Sequence, residues 1–125
     1  MATKIEIIPE GKILRVQVEG TVNPHLDKGD LATLASILAA CNEHDCEGIL
    51  FDVSFATIVI DAIDMFQVGT TLAERMTPGV KIAVYYDANK SSEDPFFKII
   101  TDNRGIRYRA FEVESDALSW LGAKR

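Results

Sequence analysis

No run of apolar residues in this chain approaches the ~18 needed to cross a bilayer as a helix, and stretches such as Ala56 to Ile60 are only a few residues long. The opening Met-Ala-Thr-Lys-Ile-Glu lacks the charged-then-apolar pattern of a secretory leader and leads straight into strand-like sequence. A cytoplasmic protein without an integral membrane segment is therefore expected. Basic residues are in deficit, 13 Lys and Arg against 19 Asp and Glu, for a net charge of −6. That balance disfavours nucleic acid and anionic membrane surfaces, both of which call for clustered cations. The one basic cluster, Arg104, Arg107 and Arg109, is interrupted by apolar residues and countered by Asp102 and Glu112, as on a solvated strand face.

Reactive side chains are equally scarce. There are only two cysteines, and Cys41, His44 and Cys46 match no paired C-x-x-C zinc pattern. Cys41 also belongs to a buried helical stripe, so two reduced thiols and no metal are expected. His25 and His44 are the only candidates for a neutral-pH base, and the chain holds no G-x-S-x-G, phosphate-binding loop or G-x-G-x-x-G. No catalytic residue and no cofactor are expected, and no internal repeat is visible.

What the chain does have is the patterning of one α/β domain spanning residues 1–125. With 47% hydrophobic and 26% charged residues it lies in the globular range, and its length suffices to bury about two-thirds of the unfolded surface. The sequence is organised around Gly48 to Met76. Ile49 to Val53 is a short β-branched run suited to a strand buried on both faces. After a loop, Asp61 opens a helix with Ala62, Met65, Phe66, Gly69, Leu72, Ala73 and Met76 on one stripe.

Before this centre, Lys4 to Ile8 alternates, Pro9-Glu10-Gly11 marks a turn, and Ile13 to Val18 resumes strand character, making an opening hairpin. Gly20 to Asp30 reads as a loop with His25 exposed on it and Asp30 as helix N-cap. The first helix then buries Leu31, Leu34, Ala35, Leu38 and Cys41 and ends near His44. After the centre, Thr77-Pro78-Gly79 breaks the second helix and Val80 to Tyr86 forms an interior strand. Ser91 to Asp94 resembles a capping box for a third helix carrying Phe96, Phe97, Ile99 and Ile100, which Gly105 ends. Arg107 to Val113 reads as an edge strand, and Glu114 or Ser115 caps a last helix burying Ala117, Leu118 and Leu121. The order β-β-α-β-α-β-α-β-α predicts a single mostly parallel five-stranded sheet with four helices, its strand order left open.

This order, together with Lys81-Ile82-Ala83-Val84, Asn103-Arg104-Gly105, Ile106 to Phe111 and Ala117-Leu118-Ser119-Trp120-Leu121, resembles the SpoIIAA-like branch of the STAS superfamily, whose best-known members are anti-sigma-factor antagonists. The resemblance covers essentially the whole chain and implies a non-catalytic domain working through an as yet unknown protein partner. It matches the family's D-x-S segment to Asp52-Val53-Ser54 and its helix-start Asp to Asp61. The family's phosphorylatable hydroxyl should follow that Asp, yet here Ala62 and Ile63 do. The usual phosphorylation switch is therefore expected to be missing, because phosphate can be placed only on a hydroxyl. Ser54, Thr57, Thr70 and Thr71 are expected to cap, pack or face solvent.

The family's likeness to the CRAL-TRIO lipid-binding fold implies a second use of the same region. Ala56, Ile58, Val59, Ile60 and Ile63, facing Phe96 and Phe97, would line a pocket for an apolar small molecule or lipid; the same residues also fit as plain core. Asp61 and Asp64 are explained as helix-start acids, with surface recognition left as their functional role. The candidate binding residues are thus Ser54, Thr57, Ile58, Ile60, Asp61, Ile63, Asp64, Phe96 and Phe97. Partner contacts are expected from Thr21 to Lys28, Ser54 to Asp64 and Asp87 to Ser91. A homodimer is a further expectation, since Met65, Phe66, Met76, Phe96 and Phe97 give the second and third helices more apolar bulk than one packed face consumes.

Overall fold

The structure, a computed structural model, describes residues 2–24, 29–90 and 95–123. Five strands and four helices alternate after an opening hairpin: β1 (Ala2–Ile8), β2 (Ile13–Val22), α1 (Gly29–Glu43), β3 (Gly48–Ile58), α2 (Ala62–Arg75), β4 (Lys81–Tyr85), α3 (Pro95–Asn103), β5 (Arg107–Phe111) and α4 (Glu114–Leu121). The strands form one sheet in the order β1-β2-β3-β4-β5. The β1 strand is antiparallel to β2, and every later pair is parallel. Parallel neighbours require crossovers, which the helices supply.

Side-chain alternation splits the core into two layers. Leu14, Val16, Val18, Ile49, Val53, Ile82 and Tyr108 point toward α1, α2 and α3, while Ile13, Leu50 and Ala83 meet Ala117, Leu118 and Leu121 of α4. The edge strand β1 is left uncovered on the three-helix face, where Ile5 and Ile7 are 48% and 42% exposed.

Two strands are longer than their sequence suggests. β2 runs to Val22, and β3 continues through the residues read as a loop to Ile58. In β3 the reason is a bulge: between the pairs Gln17–Asp52 and Glu19–Phe55, β2 advances two residues and β3 three. The extra residue reverses the alternation, so that Val53, Ala56 and Ile58 all reach the three-helix side. A period-two reading stops where the period breaks.

The helical stripes also shift. In α2 the inward positions are Asp64, Met65, Val68, Gly69, Leu72 and Met76, while Ala62, Phe66 and Ala73 face solvent. In α1, Ile37 joins Leu38 and Cys41 as a buried residue. Gly69 is required by close packing: a Cβ there would stand 2.4 Å from Ile100 Cγ2 of α3. Neither α1 nor α4 has the cap expected of it. Asp30 lies inside α1 and its Oδ2 accepts the Asn23 N–H at 2.9 Å, tying the end of β2 to the helix. The N-cap of α4 is Val113, without a side-chain bond, and Glu114 is engaged elsewhere. At its other end Gly122, at φ 101°, closes α4 in the left-handed conformation.

Candidate functional site

Because β2 to β5 are parallel, their C-terminal ends share one rim of the sheet, and the chain leaving β3 there enters α2 directly. This rim is where open parallel sheets generally place their working residues. Asp61 adopts an extended backbone and begins α2 with a reciprocal capping box. Its Oδ1 accepts the Asp64 N–H at 2.8 Å, and Asp64 Oδ2 accepts the Asp61 N–H at 3.3 Å. Asp64 is only 4% exposed. Both carboxylates thus serve the helix start.

Further back on β3, Asp52 is 2% exposed and organises the bulge. Its Oδ1 accepts the Ser54 N–H at 3.0 Å and the Ser54 hydroxyl at 2.5 Å. Its Oδ2 lies 2.7 Å from Arg15 Nη2, which also reaches Glu114 Oε2 at 2.8 Å. Burial works against the charge on Arg15, but Glu114, Asp52 and Glu6 outweigh it and raise the guanidinium pKa. The network joins β2, β3 and α4. It went unread in the sequence, where the only signal was an arginine within the apolar run of β2.

The other hydroxyls are similarly placed. Thr70 and Thr71 donate to the Phe66 and Gln67 carbonyls one turn back, each at 2.9 Å. Thr57 is exposed on β3. Cys41 and Cys46 are buried free thiols, with Cys41 Sγ donating to the Cys46 carbonyl at 3.6 Å. Burial, then the neighbouring Cys46, pushes the Cys41 thiol up to about 11. Among the described residues no group of three or more His, Cys, Asp or Glu could hold a metal, and no helix is long and apolar enough to cross a membrane.

Two apolar features remain at this end of the molecule. The first is a cavity of about 230 Å³ between the sheet and the three helices, bounded by Leu34, Val53, Ile58, Ile60, Val68, Phe97 and Tyr108, with others. Phe97 meets Tyr108 edge-on at 5.0 Å. The second is a set of exposed residues on the segment passing from β3 into α2: Phe55 is 61% exposed, Val59 48%, Ile63 71% and Phe66 52%. The guanidinium of Arg104 lies 4.5 Å from the Phe66 ring centroid, and Lys90 Nζ 5.8 Å from that of Phe55.

The proposed pocket residues therefore divide. Ile58, Ile60 and Phe97 meet around the cavity, whereas Val59 and Ile63 face solvent. Ala56 is fully buried in the core. The side chain of Phe96, residues 25–28 including His25, and the Ser91 to Asp94 capping box lie outside the described residues, as do the corresponding ends of the other two contact segments.

No protein-family model matches the sequence, and no curated protein sequence does. Among solved structures the chain is similar to an anti-sigma factor antagonist from Mycobacterium paratuberculosis, with 13% identity, a TM-score of 0.65 and coverage of 96% of this chain and 92% of that one. It is also similar to the anti-sigma factor antagonist SpoIIAA in its unphosphorylated form, with 9% identity, a TM-score of 0.52 and coverage of 99% and 100%. The fold is thus the SpoIIAA-like, STAS-type α/β fold that the element order resembled.

Proposed function

We propose that this chain is a non-catalytic regulatory module of the anti-sigma-factor-antagonist kind, binding a partner protein through the segment that leaves β3 and begins α2. The observation that carries this reading is the exposure of Val59, Ile63 and Phe66 beside a helix start whose two carboxylates are engaged in its capping box. Large apolar side chains gathered at a rim mark a contact surface rather than a reaction centre. The position after Asp61 is Ala62, so binding here is not switched by phosphate on that helix start. The partner would be of the anti-sigma-factor class.

Affinity capture from the native host, with wild type and Ile63→Asp compared, tests the reading. Ile63 is exposed, so the variant should fold as wild type by circular dichroism and yet lose a specific protein. Identical captured proteins from both forms would refute the surface. Stoichiometric phosphate anywhere from Ser54 to Thr71 would refute the missing switch.

A second reading draws support from the cavity. Its volume of about 230 Å³ exceeds the roughly 150 Å³ that accommodates benzene and falls short of the roughly 300 Å³ where drug-sized pockets begin. Its apolar lining suits a small apolar molecule or part of an acyl chain. Native mass spectrometry of gently purified protein should then show a retained apolar adduct, and bare protein throughout would remove this reading.

A further inference from the structure

We propose that two copies of this chain join edge to edge through β1, antiparallel about a two-fold axis at Ile5, to make one continuous ten-stranded sheet. The inference goes beyond the partner surface above, because β1 and the segment from β3 to α2 are separate parts of the fold.

The β1 strand is the sheet edge and runs seven residues, Ala2–Ile8, in unbroken register with β2. No proline or bulge interrupts it, and those are among the devices that ordinarily keep an edge from pairing. Ile5 and Ile7 are 48% and 42% exposed on the face that the neighbouring Leu14 and Val16 bury completely. The apolar layer of the core thus continues onto β1 and ends at solvent.

Symmetry then limits the pairing. Antiparallel edges of identical sheets are related by an axis normal to the sheet, so one residue must face its own copy. Centring on Lys4 or Glu6 sets like charges against each other. Centring on Ile5, the midpoint of the strand, keeps all of Ala2–Ile8 paired. Ile5 then faces Ile5 and Ile7 faces Thr3 on the helix side, while Lys4 of each copy faces Glu6 of the other on the opposite side. Glu6 can make that contact, being 63% exposed and only loosely engaged by Arg15 at 3.8 Å. This is self-complementarity in both polarity and charge.

The opposite edge is unlike it. The β5 strand has five residues, Arg107–Phe111, and Arg107 and Arg109 are exposed. Its midpoint is Arg109, so the equivalent pairing would oppose two guanidinium groups. Pairing along the whole strand is thus self-compatible at the β1 edge and not at β5, and a two-fold contact through one edge ends the assembly at two copies instead of a fibre.

Sedimentation of the full chain across the micromolar range tests this, with circular dichroism checking the fold of each variant. Wild type should dimerise reversibly. Glu6→Lys converts both opposite-charge pairs into like-charge pairs and should weaken association at least ~tenfold. Combining it with Lys4→Glu should restore the dimer, an effect that a general loss of stability would not produce. Ile5→Lys, at an exposed position, should give folded monomer. A monomeric wild type, or a dimer that survives Ile5→Lys through α2 and α3, would overturn the proposal.

Discussion

Arg15 Nη2 stands 2.7 Å from Asp52 Oδ2 and thereby neutralises a carboxylate that is 2% exposed beneath the sheet. Removing the cation leaves that charge buried with only Ser54 to satisfy it. Arg15→Met should destabilise the fold by about 3–5 kcal/mol, and adding Asp52→Asn should recover much of the loss. Urea unfolding midpoints of the single and double variants measure both effects; additive losses would mean that the pair is not coupled.

Packing rather than charge governs the contact between α2 and α3. Gly69→Ala would gain roughly 1 kcal/mol of helix propensity but would drive a methyl to 2.4 Å from Ile100 Cγ2. Overpacking of this kind costs about 1–3 kcal/mol, so net destabilisation is expected. Ile100→Leu lacks the offending methyl and should rescue part of the deficit, as read by thermal unfolding.

The buried Cys41 thiol makes stability fall at high pH. Its folded pKa is raised to about 11 from an ordinary 9.0, so the folded state holds its proton where the unfolded state has lost it. The associated stabilisation, about 2–3 kcal/mol, is fully present below pH 9 and is lost as the pH rises toward 11. Cys41→Ala should flatten that part of the pH–stability curve. Native protein should also resist alkylation at pH 8 while urea-unfolded protein reacts readily.

At the start of α2, Asp61→Ala removes the acceptor of the Asp64 N–H. Loss of such a cap costs about 0.5–2 kcal/mol. Hydrogen exchange should quicken in the first turn of α2 before it does in β3; unchanged protection there would mean that Asp64 alone suffices to hold the helix.

The sequence by itself determined the kind and order of the elements, because helix and strand periodicities are written within a few residues: Leu34, Leu38 and Cys41 mark one face of α1, and Ile82 and Val84 one face of β4. It also settled that Ala62 follows Asp61, and so that no hydroxyl occupies the first turn there. The tertiary structure alone decided the strand order, the bulge that carries β3 on to Ile58, the joining of Arg15 to Asp52 and Glu114, and the cavity that collects Ile58, Ile60 and Phe97. Each of these depends on residues brought together from distant parts of the chain. Ile5 and Ile63 make the same point, since an isoleucine is buried only if something covers it, and which face is covered is a property of the assembled layers.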